Sequence, residues 1–190
     1  MKIFKKAFLS IYFLAFSIAL FSQETYTVET VPNPKDTGNG YVCDPTNILS
    51  GSDVANLNNL LGQLEATATA QVAIVMLSSI GELNPKEFAT ALFNHWGIGQ
   101  ADNDNGLLIL SVMDQRRTEF ETGYGLEGVL PDVICYRIGM QELVPHYREG
   151  QYGQGLLAAV TQIKDRLEHP ENIEEIRSEG KRKARSPIPG

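Results

Sequence analysis

Two periods of apolar spacing run along this chain, and the switches between them lay out its elements. Val54, Leu57, Leu60, Leu61 and Leu64 recur at helical spacing behind Ser50 and Ser52, either of which can cap a helix that ends over residues 66–70. Residues 71–78, QVAIVMLS, form an apolar run rich in β-branched types, which suits a central strand covered on both faces. Gly81 marks a turn. Asn84, Pro85 and Glu87 then supply an N-cap, a proline at the first helical position and a capping-box acid for a second helix. Its buried stripe is Phe88, Leu92, Phe93 and Trp96, and Gly97 and Gly99 stop it. Residues 107–113 are long enough for one buried strand, and residues 118–121 for a shorter one beyond the turn at Asp114, Gln115, Arg116 and Arg117. The spacing predicts a helix over 131–144, stopped by Pro145. A last helix, over about 155–167, buries Leu156, Val160, Ile163 and Leu167.

The order helix, strand, helix, strand, strand, helix, helix predicts an α/β fold: a three-layer α/β/α sandwich, Rossmann-like, in a single domain over residues 40–168. Val42, Cys43, Asp44 and Pro45 make a short extended piece, and a residue before proline is held extended, which could aim the Asp44 carboxylate inward. Residues 23–39 contain Pro32, Pro34 and Gly38 and are expected to be a flexible or extended lead-in. Residues 169–190 are polar, with Pro and Gly at their end, and are expected to be a disordered tail.

Residues 1–22 read as an export signal. Lys2, Lys5 and Lys6 form the charged start, residues 7–21 the apolar stretch, and Ser22-Gln23 the cleavage point, although Leu20 is larger than the residue usual three places before a cut. The apolar stretch is short for a membrane span, and no later segment could cross a bilayer, so the mature chain is expected outside the cytoplasm, periplasmic or secreted.

Composition narrows the function further. The formal net charge is −7, and becomes −10 when the three leader lysines are removed. An acidic body lacks the basic face that releases counterions from nucleic acid, so no nucleic-acid partner is expected. At 43% hydrophobic, the chain has material for one packed core. The two cysteines, Cys43 and Cys135, could bridge in an oxidising compartment or stand as two isolated buried thiols.

The candidate chemistry lies between residues 101 and 132. Asp102, Asn103, Asp104 and Asn105 crowd ahead of Gly106, and Asp114 follows the next strand. Gly123, Gly125 and Gly128 frame a tight excursion that leaves Tyr124 and Glu127 at a rim, and Asp132 opens the next helix. Oxygen-rich loops of this kind suit a hard cation such as calcium. The register is not that of an EF-hand, because the glycine comes one place early and Met113 stands where the bidentate Glu belongs. The acids precede their strand, which argues against an aspartyl nucleophile. The glycine run lacks the βαβ context of a dinucleotide loop. His95, His146 and His169 are scattered, which argues against zinc. In α/β sheets, sites form beyond the carboxyl ends of strands. That rule favours Asp114 and places residues 102–105 at the opposite edge. Arg116 and Arg117 are expected to pair with Asp114 or with an anion.

Taken together, several motifs resemble the TPM domain family. They are Val31-Pro32-Asn33-Pro34, Val42-Cys43-Asp44, Ile48-Leu49-Ser50, Phe93-Asn94-His95-Trp96-Gly97-Ile98-Gly99, Asp104-Asn105-Gly106, Arg116, and Glu121-Thr122-Gly123-Tyr124-Gly125-Leu126-Glu127-Gly128-Val129-Leu130-Pro131-Asp132. Arg148-Glu149-Gly150-Gln151-Tyr152 continues the likeness. The resemblance implies an α/β/α sandwich of extracytoplasmic or thylakoid-lumen type and the binding of calcium or another divalent metal. It also implies a role either as an acid phosphatase, as described for some members including a plant protein linked to photosystem II repair, or as an accessory part of a membrane protein. Family members often carry a membrane helix and a glycine-rich tail after the domain, and neither follows it in this sequence. Gln115 stands where the family usually has an acid, and Glu119 where a basic residue is common, which weakens a phosphate-binding role for that strand.

Carried onto this chain, the resemblance implies that Asp44, Asp104, Glu127 and Asp132 supply oxygens to a cation, calcium first among candidates. Asn105 would hold the turn, and Arg116 would orient a carboxylate or bind an anion. Asp114, Glu121 and Tyr124 are the supporting positions, and no residue is assigned a catalytic role. Three functions follow as expectations. The first is a monomeric, cation-binding accessory module with a membrane-protein or other envelope partner. The second is a metal-assisted acid phosphatase, in which the metal would polarise a phosphoryl oxygen and position water. The third is a metal-independent partner-binding domain with Tyr124 and Leu126 as its contact patch.

Overall fold

The computed structural model describes residues 24–38, 40–68, 70–100 and 103–185. The export signal read over residues 1–22, and Asp102, fall outside the described residues.

Four strands form one sheet in the order β1 (Val42–Cys43), β2 (Gln71–Leu77), β3 (Gly106–Val112) and β4 (Arg117–Thr122). The first three run parallel, and β4 is an antiparallel edge. Successive side chains of a strand point to opposite faces. Val72, Ile74, Met76, Leu107 and Ile109 accordingly enter one core, while Val75, Leu77, Leu108, Leu110 and Val112 enter another. Both faces are covered, which explains why β2 and β3 read as continuous apolar runs.

Helix α1 (Gly51–Ala68) covers the first face with Leu57, Leu61 and Leu64, and the Ser50 hydroxyl caps it by accepting the Asp53 amide at 3.1 Å. Helix α2 (Pro85–Trp96) covers the second face with Phe88, Ala89 and Leu92. Asn84 Oδ1 accepts the Lys86 and Glu87 amides, and Gly97 closes the helix in the left-handed region at φ 58°. Phe93 and Trp96 are only half-buried. Strands β1, β2 and β3 step across the sheet in one direction while α1 and α2 lie on opposite faces. The two crossovers therefore have opposite hands, and one departs from the right-handed rule.

The helix expected over 131–144 does not stop at Pro145. Helix α3 (Asp132–Ile138) widens into a π turn over Gly139–Leu143 and continues as α4 (Val144–Arg148). The Val144 amide reaches back to the Gly139 carbonyl. That wider turn just ahead of the proline gives its ring room that regular α spacing denies. Helix α5 (Tyr152–Leu167) buries Leu156, Ala159, Val160, Ile163 and Leu167 beside α1.

Two terminal segments depart from expectation. The lead-in is packed, with Tyr26 and Val31 buried in the second core and Thr25 bridged to Ser79. The tail expected to be disordered forms α6 (Pro170–Arg185). Three of its four glutamates, Glu171, Glu174 and Glu175, fall in the first half and its Lys and Arg mostly in the second, the arrangement that complements a helix dipole. Ile176 is buried in the first core, next to a 3-10 turn over Tyr124–Leu126. One buried isoleucine contributes roughly 1.5–3 kcal/mol. That contact helps to dock a helix that would be marginal by itself in water. Among the described residues, no helix is long and apolar enough to cross a membrane.

Candidate functional site

Because α1 and α2 leave β1 and β2 toward opposite faces, a crevice should open beyond the carboxyl ends of these strands. The lead-in fills it. The Tyr26 amide donates to the Ser79 carbonyl at 3.0 Å, and the Ser78 hydroxyl donates to the Glu24 carbonyl at 3.0 Å. Burial, followed by a hydrogen bond with Glu24, pushes the Tyr26 phenol up to about 12. Asp44 ends β1 at this edge, but its carboxylate is turned to its own loop. Its oxygens accept the Ile48 amide at 2.9 Å and the Leu49 amide at 2.7 Å.

Asp114 follows β3 at the same edge and is exposed, and its carboxylate accepts the neighbouring Gln115 amide at 2.7 Å. Gln115 Nε2 donates to the carbonyls of Gly81 at 2.9 Å and Leu83 at 3.1 Å, stapling the β3–β4 hairpin to the loop ahead of α2. Arg116 sits exposed at the hairpin tip in the left-handed region at φ 51°. Arg117 pairs with Glu119 at 2.8 Å rather than with Asp114. The expected Asp114–arginine pairing is therefore absent among the described residues.

The opposite edge is built from the loop ahead of β3 and the glycine-rich loop behind β4. Asn105 is fully buried; its Oδ1 accepts the Gln100 amide at 2.8 Å, and its carbonyl accepts the Gln71 amide at 3.0 Å. It holds the loop against the start of β2. Asp104, at φ 45°, donates its amide to the Gln100 carbonyl and accepts the Gly125 amide at 3.1 Å on its own carbonyl. Gly123 and Gly125 are pressed against the Asp104 and Asn103 carbonyls, where any Cβ would collide. The glycines are there for close approach, and the two loops lock as one platform. Tyr124 (61% exposed) and Glu127 stand on its rim, while Leu126 is buried. The expected Tyr124–Leu126 contact patch therefore loses Leu126 to the core, because the 3-10 turn rolls that side chain inward.

Glu121 and Asp132 form a third neighbourhood around Lys86. Lys86 Nζ pairs with Glu121 at 2.7 Å. Burial by itself would lower the Lys86 ammonium, but the Glu121 bond and charge, with Asp132 and Glu119, hold it above its ordinary value.

The four residues expected to ligate a cation are thus not gathered as one set. Cys43 lies level with Val75, and Val75 with Leu110, so Asp44 stands about seven residues along the strand direction from Asp104. At roughly 3.3 Å per residue that is about 23 Å, against ligand distances of about 2.3–2.6 Å for calcium. Asp104 and Glu127 share the loop platform with Asn105 and Tyr124. Among the described residues, no group of three or more His, Cys, Asp or Glu side chains is placed to hold a metal ion. The residues present do not form a ready-made cation site.

The cysteines are free and buried in different cores on opposite faces of the sheet, so they do not bridge. Burial pushes the Cys43 thiol up to about 12 and the Cys135 thiol up to about 11. Sequence reasoning missed Glu175 and Ile176. Glu175 reaches over Gly128 from α6, where it would collide with a Cβ. The available signal was the pairing of Ile173 and Ile176 behind Pro170, a helical repeat submerged in a polar segment.

The sheet, its two covered faces and the loop platform together define a three-layer α/β/α domain. A family model for the TPM domain matches residues 42–166, and the chain belongs to that family. It is 38% identical to the N-terminal domain of a protein from P. gingivalis solved by NMR, over 76% of this chain and 92% of that one, with a TM-score of 0.70. The N-terminal domain of the cg2496 protein from Corynebacterium glutamicum shares the fold at 16% identity, over 74% of this chain and 86% of that one, with a TM-score of 0.53. The BA42 protein from the psychrophilic bacterium Bizionia argentinensis does so at 14% identity, over 65% of this chain and 84% of that one, with a TM-score of 0.58. No curated protein matches the sequence significantly.

Proposed function

We propose that this TPM domain is an accessory module of the extracytoplasmic space that docks a protein partner on the outer face of α3. One observation carries the reading. Val133, Tyr136 and Met140 are exposed by 61%, 69% and 47%, and they follow one another at intervals of three and four residues along α3 and into the π turn. That spacing sets them on one stripe. Aligned large apolar groups on a charged surface mark a contact face, and Tyr and Met are enriched at interface centres. The test is a photo-cross-linking residue at Tyr136, compared with one at exposed Asn56 on α1, in the envelope of the producing cell. A discrete protein adduct from position 136 alone, lost with Val133→Asp, is expected. Equal labelling from both positions removes the reading.

A second reading is favoured by the locked loops. Asp104 and Glu127 stand on two loops tied by the bond from the Gly125 amide to the Asp104 carbonyl, and their carboxylates are the hard-cation ligands this reading uses. Two carboxylates leave most coordination positions to water, so the ion would be held weakly. Calcium titration should move the Gly125 and Glu127 amide signals in NMR, and silence at millimolar calcium rejects this reading. Metal-assisted phosphate-ester hydrolysis depends on that ion and stands or falls with the same titration. The thiols offer no alternative nucleophile, since burial keeps both protonated at neutral pH.

A further inference from the structure

The glycine-rich loop and the end of α5 together form an apolar seat, and α6 occupies it. Leu126, Val129 and Leu167 belong to the same buried cluster as Ile176, and α6 packs against both the 3-10 turn and α5. The Glu175 carboxylate lies over Gly128, where an added Cβ would displace the end of that side chain. The seat itself is firmly built. Arg166 Nε donates to the Val129 carbonyl and ties α5 to the loop, and the Leu130 amide closes the loop onto the Leu126 carbonyl at 2.6 Å.

Its occupant is held differently. Where α5 buries a full face of apolar side chains, the described side chains of α6 bury one, Ile176. Ile173 is half-buried, while Glu171, Glu174, Glu175 and Ser178 are exposed. Elements with few buried contacts open locally, far more often than the core unfolds. The loop beneath is braced by α5 and by the Asp104 carbonyl, so it keeps its shape when α6 lifts.

We propose that this seat is an exchangeable helix-docking site whose resident is α6. It accepts a short polar helix that inserts one aliphatic side chain beside Leu126 and Val129 and lays the preceding carboxylate over Gly128. The site is distinct from the α3 stripe and does not depend on cation binding.

Hydrogen exchange on the full chain tests the first half. Amides of residues 174–178 should exchange at least a hundredfold faster than those of Ile109 and Leu110; equal rates overturn the proposal. Ile176→Asp in the full chain should free α6 while leaving β3 protection unchanged. A fluorescent peptide of residues 170–185 should then bind this variant at least tenfold more tightly than wild type, where the resident helix competes. A variant that keeps β3 protection and does not bind the peptide overturns the proposal. Should Ile176→Asp unfold β3 as well, Ile176→Ala replaces it in the same comparison. Glu127→Gln must leave peptide binding unchanged, which separates this seat from the cation reading.

Discussion

The Asp104 carbonyl accepts the Gly125 amide at 3.1 Å, and this bond ties the loop ahead of β3 to the loop behind β4. The approach is so close that a Cβ on Gly125 would strike the Asn103 carbonyl. Backbone on both sides leaves no flexible end to yield. Gly125→Ala should therefore destabilise the fold by about 1–3 kcal/mol, the usual cost of overpacking. Urea unfolding monitored through Trp96 measures it, and an unchanged midpoint would contradict the clamp.

Gln115 works through its amide hydrogens, which reach the carbonyls of Gly81 and Leu83. A carboxylate of the same shape has no hydrogen to donate and would face two oxygens. Gln115→Glu should cost about 1–3 kcal/mol at neutral pH. Part of that loss should return as acid protonates the new side chain. A variant as stable as wild type at pH 7 would show that the staple contributes nothing.

Both thiols are buried and held protonated, pushed up to about 12 at Cys43 and about 11 at Cys135. The native protein should leave a disulfide-exchange reagent unreacted on the timescale in which the denatured chain titrates two thiols. Reaction of either cysteine under native conditions would mean that its face of the sheet opens readily.

Burial would raise the Glu168 carboxyl, but bonds from Lys164 and Thr67 hold it below the ordinary range. A carboxyl depressed in the folded state contributes stability above its unfolded value, about 4.3. That contribution is lost as pH falls through the lower folded value. Between pH 5 and pH 3, wild type should therefore lose more stability than Glu168→Gln. Parallel losses in thermal melts would assign no role to the interaction.

Much of the layer order was legible along the chain, because β2 and β3 are covered on both faces and so read as continuous apolar runs. Asn84, Pro85 and Gly97 marked the ends of α2 because capping is a local affair of side chain and neighbouring amide. The continuation past Pro145 was not legible, since it depends on a π turn upstream that widens the helix. Nor was the separation of Asp44 from Asp104. Both are acids beside turns, and only the strand pairing shows that they lie at opposite ends of the sheet.

The sequence by itself determined the central helices and strands from α1 to β4, the burial of β2 and β3, the family and the glycines of the loop platform. Each of these depends on spacing or on local backbone sterics, which a linear chain carries. Tertiary structure alone decided that the lead-in fills the crevice beyond β1 and β2, that the thiols lie on opposite faces, and that α6 docks on the glycine-rich loop. Those outcomes turn on which distant surfaces meet. A polar segment with one isoleucine in the right place has no mark of that meeting until a seat such as the one around Leu126 and Val129 is assembled.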